Sequence, residues 1–344
     1  MKIAILTRPA DRSPKVLALS LQQMLRRLQV ESRIYFDSRM LIRLLPLGVT
    51  PRFHNPFWKR LYARVKFWRY DKTIIKELRQ YDAIIFSECI PNVFWKNYYA
   101  IEKLRTLTGR PVLIYDVYYL GNAPTQIEKL VENNDPCIER FDWHLAVSEV
   151  TEVRSSPEPP WSRIGLDLSL SGLQPDSKKE FLALVDFERS GYESIRKQQI
   201  EVLEELGVTY VSLEGDYTIE EIRQLYKQAC VLLLQFPEAF GVPIAECLAC
   251  GAYVATPNSA WAMSWRLDEH PEVHKEGMLP ELFLVYRSKD ELRDKIRELK
   301  QNYKLEQTPQ EVFSKFIQYY PYNFYGDLTA LRDVIQRIQQ HAFN

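Results

Sequence analysis

The chain has 344 residues, of which 46% are hydrophobic and 26% are charged, with 45 basic and 45 acidic side chains. This composition is ordinary for a globular protein and leaves room for two domains with separate cores, while no apolar run approaches the roughly 20 residues of a membrane-spanning helix. Five cysteines without a secretory leader indicate a reducing compartment, so we expect a cytoplasmic protein.

The balanced net charge conceals a strongly basic N-terminal part. Residues 1–80 contain 18 Lys and Arg against 5 Asp and Glu, a balance of +13, so the rest of the chain carries −13. A basic surface favours an anionic partner such as a membrane surface, an anionic acceptor or a nucleic acid. The sequence has no zinc-finger, RNA-recognition or helix-turn-helix signature, and we therefore predict no nucleic-acid partner.

The first elements are a strand over residues 1–7, a loop over 8–13 and a helix whose N-cap is Ser13. Pro14 suits the first helical position. Two arginines, Arg8 and Arg12, lie in the loop and can either contact an anionic acceptor or be solvated loop side chains.

A basic and aromatic helix is predicted within residues 38–72. Its aromatic and apolar residues fall near one face and its basic residues mostly on the other, namely Trp58, Leu61, Tyr62, Val65 and Trp68 against Lys59, Arg60, Arg64 and Lys66. This pattern is typical of a helix at a membrane surface, which would place the protein at the inner face of a membrane. An equally open alternative is an ordinary helix that packs its aromatic side chains on the core. Trp58, Lys59 and Arg60 are accordingly candidates for an acceptor or membrane surface.

The remaining elements alternate between apolar strands and helices. Strands are predicted over 82–87, 111–118, 142–148, 181–185 and 208–213, and helices over 92–106 and 192–206. The proline-rich segment 157–160 reads as a rigid linker, so we place the domain boundary near 165–170.

The most informative stretch is a strand, a glycine loop, a short helix and a second strand over residues 230–256. Pro243 suits the first position of the helix and Gly251 the position just past its end. Backbone N–H groups of the loop and the positive end of the helix suit an anion. Gly241 lets the backbone approach a ligand closely.

Two carboxylates, Glu238 and Glu246, bracket this loop eight residues apart. The two oxygens of an ionised Glu246 can accept hydrogen bonds from both hydroxyls of a vicinal diol such as a ribose. Glu238 can accept from the hydroxyls of a second ring.

The run from Glu238 to Thr256 resembles the Glu-x7-Glu signature of retaining nucleotide-sugar glycosyltransferases of the GT-B fold, and residues 217–229 resemble the helix before that signature. The resemblance implies an α/β protein with two Rossmann-like doubly wound domains facing across a cleft. The domains would be an acceptor-binding domain over 1–167 and a nucleotide-sugar-binding domain over 168–325. A C-terminal helix within 326–344 would cross back to the first domain.

The resemblance also implies the reaction, which is transfer of a sugar from a nucleotide-sugar donor to a hydroxyl of a glycan, lipid-linked or protein acceptor. By this resemblance the catalytic residues are Glu238, Arg189 and Tyr118, and the donor-binding residues are Glu246, Gly241, Phe240, Val242 and Lys197. The sequence contains no Asp-x-Asp motif, so we expect no metal and no cofactor.

Three departures from the family pattern keep other functions open. Tyr118 stands where the family commonly has a histidine, Phe187 stands where it has an arginine, and the first loop lacks its glycines. The alternatives are a catalytically degenerate GT-B module that binds nucleotides or glycans, a GT-B sugar-nucleotide epimerase, and a membrane-surface scaffold.

Overall fold

The computed structural model describes most of the chain, as two compact units. The first unit is Met1–Asp167 with Gly326–Asn344, and the second is Leu168–Tyr325. The described residues are 1–7, 13–37, 43, 57–87, 98–118, 124–134, 140–149, 153–156, 158–236, 238–257, 263–267 and 279–340.

A six-stranded parallel sheet in the order β2-β1-β3-β4-β5-β6 forms the centre of the first unit. Its strands are β1 Lys2–Leu6, β2 Glu31–Tyr35, β3 Ala83–Ser87, β4 Val112–Tyr118, β5 Trp143–Ser148 and β6 Trp161–Arg163. The helices described between them are α1 Ser13–Arg27, α2 Phe57–Leu78, α3 Tyr98–Thr108 and α4 Pro124–Glu132. Strands β1 and β3 are almost wholly buried, as expected of central strands covered on both faces.

The second unit has a five-stranded parallel sheet in the order β11-β10-β9-β7-β8. Its strands are β7 Leu182–Val185, β8 Thr209–Ser212, β9 Val231–Leu233, β10 Tyr253–Pro257 and β11 Phe283–Tyr286. Its helices are α5 Glu193–Glu205, α6 Ile219–Gln228, α7 Val242–Ala249, α8 Lys289–Asn302, α9 Thr308–Tyr319 and α10 Tyr322–Tyr325, with a 3₁₀ turn at Met263–Trp265.

The strand order creates a topological switch point in each sheet. In the second unit the chain runs from β7 to β8 on one side and returns to β9 on the other. Ligands of doubly wound sheets bind outside the carboxyl ends of the strands at such a point. In the first unit the switch point lies between β1 and β3, and the loops that follow these strands, 8–12 and 88–97, lie outside the described residues.

The last helix, α11 Leu328–Gln339, belongs to the first unit although it follows the second in sequence. The carboxylate of Asp327 caps its N-terminus by accepting from the backbone N–H groups of Thr329 and Ala330. The backbone N–H of Asp327 donates to the Ile164 carbonyl at 2.7 Å. These contacts, together with the two parallel sheets, confirm the predicted α/β class and the return of the final helix. None of the described helices is long and apolar enough to cross a bilayer.

Candidate functional site

The candidate site is built at the carboxyl ends of β7 and β9, on either side of the switch point of the second unit. These strands pair in register, with Val185 opposite Leu233, and their side chains are buried. The described parts of the segments that follow them, 186–192 on one side and 234–236 with 238–241 on the other, therefore begin side by side. Both carry residues that the sequence analysis assigned to the site.

A glycine and a proline shape the start of α7. Gly241 is the N-cap with φ of 67°, and the helix begins at Val242, so Pro243 is its second residue and not the first as predicted. A Cβ on Gly241 would lie 3.0 Å from Ile244 Cδ1 and 3.2 Å from Glu238 Cβ, so the absence of a side chain permits both the backbone angle and the packing. Except for Pro237, which lies outside the described residues, the predicted order of strand, glycine loop, helix and strand is confirmed.

Glu238 lies beside Arg189 at this edge of the sheet. Arg189 Nη2 is 3.2 Å from Glu238 Oε1, and the guanidinium lies 4.8 Å from the centre of the Phe236 ring. Burial raises the pKa of Glu238 and nearby Asp186 raises it further, whereas Arg189 lowers it. The structure thus brings together two of the three predicted catalytic residues, a partly buried carboxylate and a largely exposed guanidinium.

Glu246, in the second turn of α7, has an almost completely buried side chain whose partner is Arg223 of α6. Arg223 donates to Glu246 Oε1 from Nε at 2.8 Å and from Nη2 at 2.6 Å. Burial raises the pKa of Glu246 and the guanidinium counters that rise. Sequence reasoning missed Arg223. The available signal was its position three residues before the buried Tyr226, on the same face of the helix.

A buried arginine and a buried glutamine tie together the loops that follow β7, β8 and β9. Arg196 of α5 donates to the Asp186 carbonyl at 3.2 Å, to Ser212 Oγ at 2.6 Å and to the Leu213 carbonyl at 3.3 Å. Gln235 donates to the Asp186 carbonyl at 2.9 Å and accepts from the Arg189 backbone N–H at 3.2 Å. The positions of these loops are therefore fixed by Arg196 and Gln235, whose side chains are buried and hydrogen-bonded.

Lys197, which we predicted to bind the donor, lies next to Arg196 but is exposed on the surface of α5. Its Nζ is 3.9 Å from Glu201, one turn further along the same helix. Successive helical residues point about 100° apart, because an α-helix has about 3.6 residues per turn. Arg196 therefore takes the inward position and Lys197 the solvent-facing one.

Phe240 and Val242 were predicted as donor-binding residues, but their side chains are buried in the protein. The Phe240 ring stacks on the indole of Trp265 with centroids 5.2 Å apart, and Trp265 Nε1 donates to the Phe240 carbonyl at 2.6 Å. Tyr320 Oη in turn donates to the Trp265 carbonyl at 2.5 Å. The Phe240 and Val242 side chains thus belong to the core that supports the loop, and only their backbones remain for a ligand.

Aromatic side chains surround the same edge of the sheet. Phe187, after β7, meets Tyr217, after β8, edge to face with centroids 5.9 Å apart. Tyr192 and Phe236 lie 5.3 Å apart. Both rings of the first pair are partly exposed, so the edge offers apolar surface beside the charged residues.

The other predicted site residues belong to the first unit. Tyr118 ends β4 opposite Ser148, but its side chain lies outside the described part of the structure. Arg8 and Arg12 also lie outside it, as do the side chains of Lys59 and Arg60 on α2. Trp58 is exposed on α2.

No protein-family model matches the chain, and no curated protein sequence matches it. Solved structures do match over almost the whole length. Anabaena HepE in complex with UDP and glucose has 12% sequence identity and a TM-score of 0.52, covering 99% of this chain and 100% of that chain.

Two further structures give the same result. HepE in complex with UDP-glucose has 15% identity and a TM-score of 0.51, covering 99% of each chain. An α-glucosyltransferase in complex with UDP has 12% identity and a TM-score of 0.56, covering 98% of this chain and 100% of that chain. These neighbours are GT-B glycosyltransferases, and the chain has the GT-B fold.

Proposed function

We propose that the protein is a glycosyltransferase that moves a sugar from a nucleotide-sugar donor to an acceptor hydroxyl, with retention at the anomeric carbon and without a metal ion or cofactor. The observation that carries this function is the pair Glu238 and Glu246, which flank the Gly241 loop at the switch point, each beside an arginine. The UDP and UDP-glucose in the structures of HepE and the α-glucosyltransferase support a nucleotide-sugar donor.

Each carboxylate has a distinct role in this proposal. Glu246 would accept hydrogen bonds from the hydroxyls of the donor's ribose through Oε2, because its Oε1 already accepts both hydrogen bonds from Arg223. Glu238, held by Arg189, would accept from hydroxyls of the transferred sugar and so orient it for reaction. An ionised carboxylate is the stronger acceptor, which is why a guanidinium beside each group matters.

The reaction breaks the bond between the anomeric carbon and the diphosphate oxygen and forms a bond between that carbon and the acceptor oxygen. Negative charge then develops on the leaving diphosphate. Arg189, the N–H groups around Gly241 and the N-terminus of α7 would stabilise this charge without a metal. The acceptor proton would pass to the leaving phosphate, so the reaction balances without a protein base.

The first unit would bind the acceptor, which is a glycan, a lipid-linked molecule or a protein. Its basic N-terminal part suits an anionic acceptor or an anionic surface around it. Arg8, Arg12 and Tyr118 remain candidates for acceptor contacts or catalysis in this unit.

Ligand-induced stabilisation tests the donor site. The purified protein is heated with UDP, GDP, ADP, TDP and CMP and with their sugar conjugates, with and without EDTA. A ligand at 100 times its dissociation constant should raise the free energy of unfolding by about 2.7 kcal/mol. A shift with one base that EDTA does not change supports metal-free donor binding. If none of the nucleotides or sugar conjugates stabilised the protein, the proposal would be contradicted.

Kinetics with matched variants test the roles of the two glutamates. Glu246→Gln should weaken donor binding, and Glu238→Gln should lower turnover more than affinity, whereas Glu298→Gln on the exposed face of α8 should change neither. NMR of the product reports its anomeric configuration, and an inverted product would overturn retention. Sugar epimerised without acceptor would indicate an epimerase, and binding without turnover a degenerate module.

A further inference from the structure

The first half of α2 presents large apolar side chains to solvent. Trp58, Tyr62 and Val65 are 74%, 66% and 72% exposed. Their spacing of four and three residues places them on one face of the helix. Between residues 58 and 70 none of the described side chains is buried. The alternative that α2 packs these residues on the core is therefore wrong.

The same face becomes basic along the helix. Arg69, Lys72 and Lys76 continue the line of Tyr62 and Val65 at helical spacing, and all three are exposed. Trp68, at the edge of this face, is 55% exposed, and Lys72 Nζ lies 3.8 Å from the centre of its ring. We call these seven residues the α2 face: Trp58, Tyr62, Val65, Trp68, Arg69, Lys72 and Lys76.

The acidic residues of α2 do not neutralise this face. Asp71 accepts from Arg43 through both carboxylate oxygens at 2.6 to 3.0 Å. Glu77 accepts from Tyr35 Oη at 3.0 Å. Both acids are thus engaged by groups outside the helix, and within the described residues no carboxylate forms an ion pair with Arg69, Lys72 or Lys76.

The second half of α2 anchors the helix in the first unit. Ile74 and Leu78 are buried in a core that includes Leu6 and Phe86. Arg43, stacked 4.9 Å from the centre of the Phe67 ring, adds an ion pair to Asp71. The exposed aromatic residues therefore stand on a fixed helix and are presented together.

We propose that the α2 face docks on the surface of an anionic lipid bilayer. Tryptophan and tyrosine favour the boundary between lipid and water, where an apolar ring and a polar group are both accommodated. Lysine and arginine beside them attract anionic headgroups. From Trp58 to Lys76 the face extends about 27 Å, at about 1.5 Å per residue, and such a convex stripe suits a flat surface.

Charge and side-chain type together favour a bilayer over other anionic partners. The phosphates of a nucleic acid could pair with the three basic residues, and its bases could stack on the aromatic rings. Val65, at the centre of the apolar half, could make neither contact, whereas it can contact lipid. The inference goes beyond the proposed sugar transfer and does not depend on it. A vesicle experiment therefore fails or succeeds separately from any measurement of nucleotide binding.

Flotation with vesicles tests the proposal on the full chain. Vesicles of phosphatidylcholine alone are compared with vesicles containing 30 mol% phosphatidylglycerol, about a third of the lipid, because attraction to anionic lipid is expected to be strong at low salt. We expect flotation with the anionic vesicles only and release at high salt. No flotation with anionic vesicles at low salt would overturn the proposal, as would binding to a single-stranded oligonucleotide in place of vesicles.

Paired variants separate charge from apolar contact. The triple variant Arg69→Gln, Lys72→Gln, Lys76→Gln and the double variant Tyr62→Ser, Val65→Ser should each lower partitioning by about tenfold or more. Controls with the same changes at exposed positions elsewhere are Lys179→Gln, Arg297→Gln, Arg332→Gln and Leu170→Ser, Tyr322→Ser. Circular dichroism checks that every variant is folded. Equal losses in the variants and their controls would contradict a role for this face.

Discussion

Arg223 holds Glu246 by two hydrogen bonds to a single carboxylate oxygen, with Nε at 2.8 Å and Nη2 at 2.6 Å from Oε1. Removing a carboxylate from water is unfavourable unless a positive charge and hydrogen bonds compensate. Burial raises the pKa of Glu246, and the guanidinium on α6 opposes this rise and favours the ionised carboxylate on α7. The contact between α6 and α7 therefore also favours a negative charge on Glu246 in the candidate donor site.

Replacing Arg223 by methionine tests this relationship. Arg223→Met should weaken donor binding by about tenfold or more and lower the free energy of unfolding by about 3 kcal/mol, because it leaves a buried carboxylate without its partner. The double variant Arg223→Met, Glu246→Leu should regain stability but not binding. Calorimetric titration and urea unfolding measure the two effects. Arg297→Met, on the surface of α8, is the control, and unchanged donor affinity in Arg223→Met would contradict the role.

The acidic side of the pH profile should reflect the buried carboxylates. Burial raises the pKa of both Glu238 and Glu246. Donor binding that needs ionised carboxylates should therefore fall as pH drops through a range above the ordinary glutamate value of about 4.3. Since Arg189 lowers the pKa of Glu238, Arg189→Gln should move this loss to higher pH. Titration of donor affinity between about pH 4.5 and 8 measures the shift.

Measuring the stability of the protein distinguishes the loss of donor binding at low pH from acid unfolding. A carboxyl whose pKa is raised by folding binds its proton more readily in the folded state. Its contribution to the free energy of unfolding therefore rises as pH falls through the raised pKa towards the ordinary value. As pH falls through the raised pKa values, donor affinity should therefore decline while the contribution of Glu238 and Glu246 to the free energy of unfolding increases. Loss of binding only at or below the ordinary glutamate range would contradict the prediction.

Lys178 joins the ends of the two helices that carry Arg223 and Glu246. Its buried Nζ donates to the carbonyls of Lys227 and Cys250, each at 2.7 Å, and burial lowers the pKa of the amine. Lys178→Met should lower the free energy of unfolding by about 3 kcal/mol, because two helix-terminal carbonyls lose a charged donor. Lys179→Met changes the exposed neighbour and should have little effect. Equal urea midpoints for the two variants would contradict this assignment.

The sequence allowed the local order around Gly241 to be predicted, because a buried strand, a glycine, an early proline and a terminal glycine are all local signals. It could not show that Phe240 belongs to the core. The ring that covers Phe240 is Trp265, 25 residues further along, and only tertiary packing brings them together. The role of Arg223 was not predicted either, because the packing register between α6 and α7 decides which side chain contacts Glu246.

The case of α2 shows a different limit. Helical spacing placed Trp58, Tyr62 and Val65 on one face, but spacing alone does not say whether that face meets the core or solvent. Ile74 and Leu78, at the far end of the helix and on its opposite side, settle the orientation by packing on the sheet. Whether the apolar residues in one half of a helix are buried or exposed therefore depends on which face the other half packs against the core.

Gly251 gives a test of how closely α7 must pack. Its φ is +79°, and a Cβ there would lie 2.4 Å from Pro309 Cα and 2.5 Å from the Pro309 carbonyl oxygen, both backbone atoms of α9. Gly215 has a similar φ of +74°, but nothing lies within 4 Å of its Cβ position. Gly215→Ala should therefore show only the backbone penalty of about 1–2 kcal/mol for a left-handed residue. Gly251→Ala should lose that amount and at least about 2 kcal/mol more, because packed backbone must move apart.

Urea unfolding of the two alanine variants measures the difference, and donor titration shows whether it reaches the site. Gly251 directly follows Cys250, the C-cap of α7, so a displaced α7 would shift Glu246 away from Arg223. Gly251→Ala should therefore weaken donor binding as well as stability, while Gly215→Ala should leave the Arg223 and Glu246 pair intact. Equal stability losses in the two variants would show that α7 and α9 can separate without strain, and the close packing would then not be what positions Glu246.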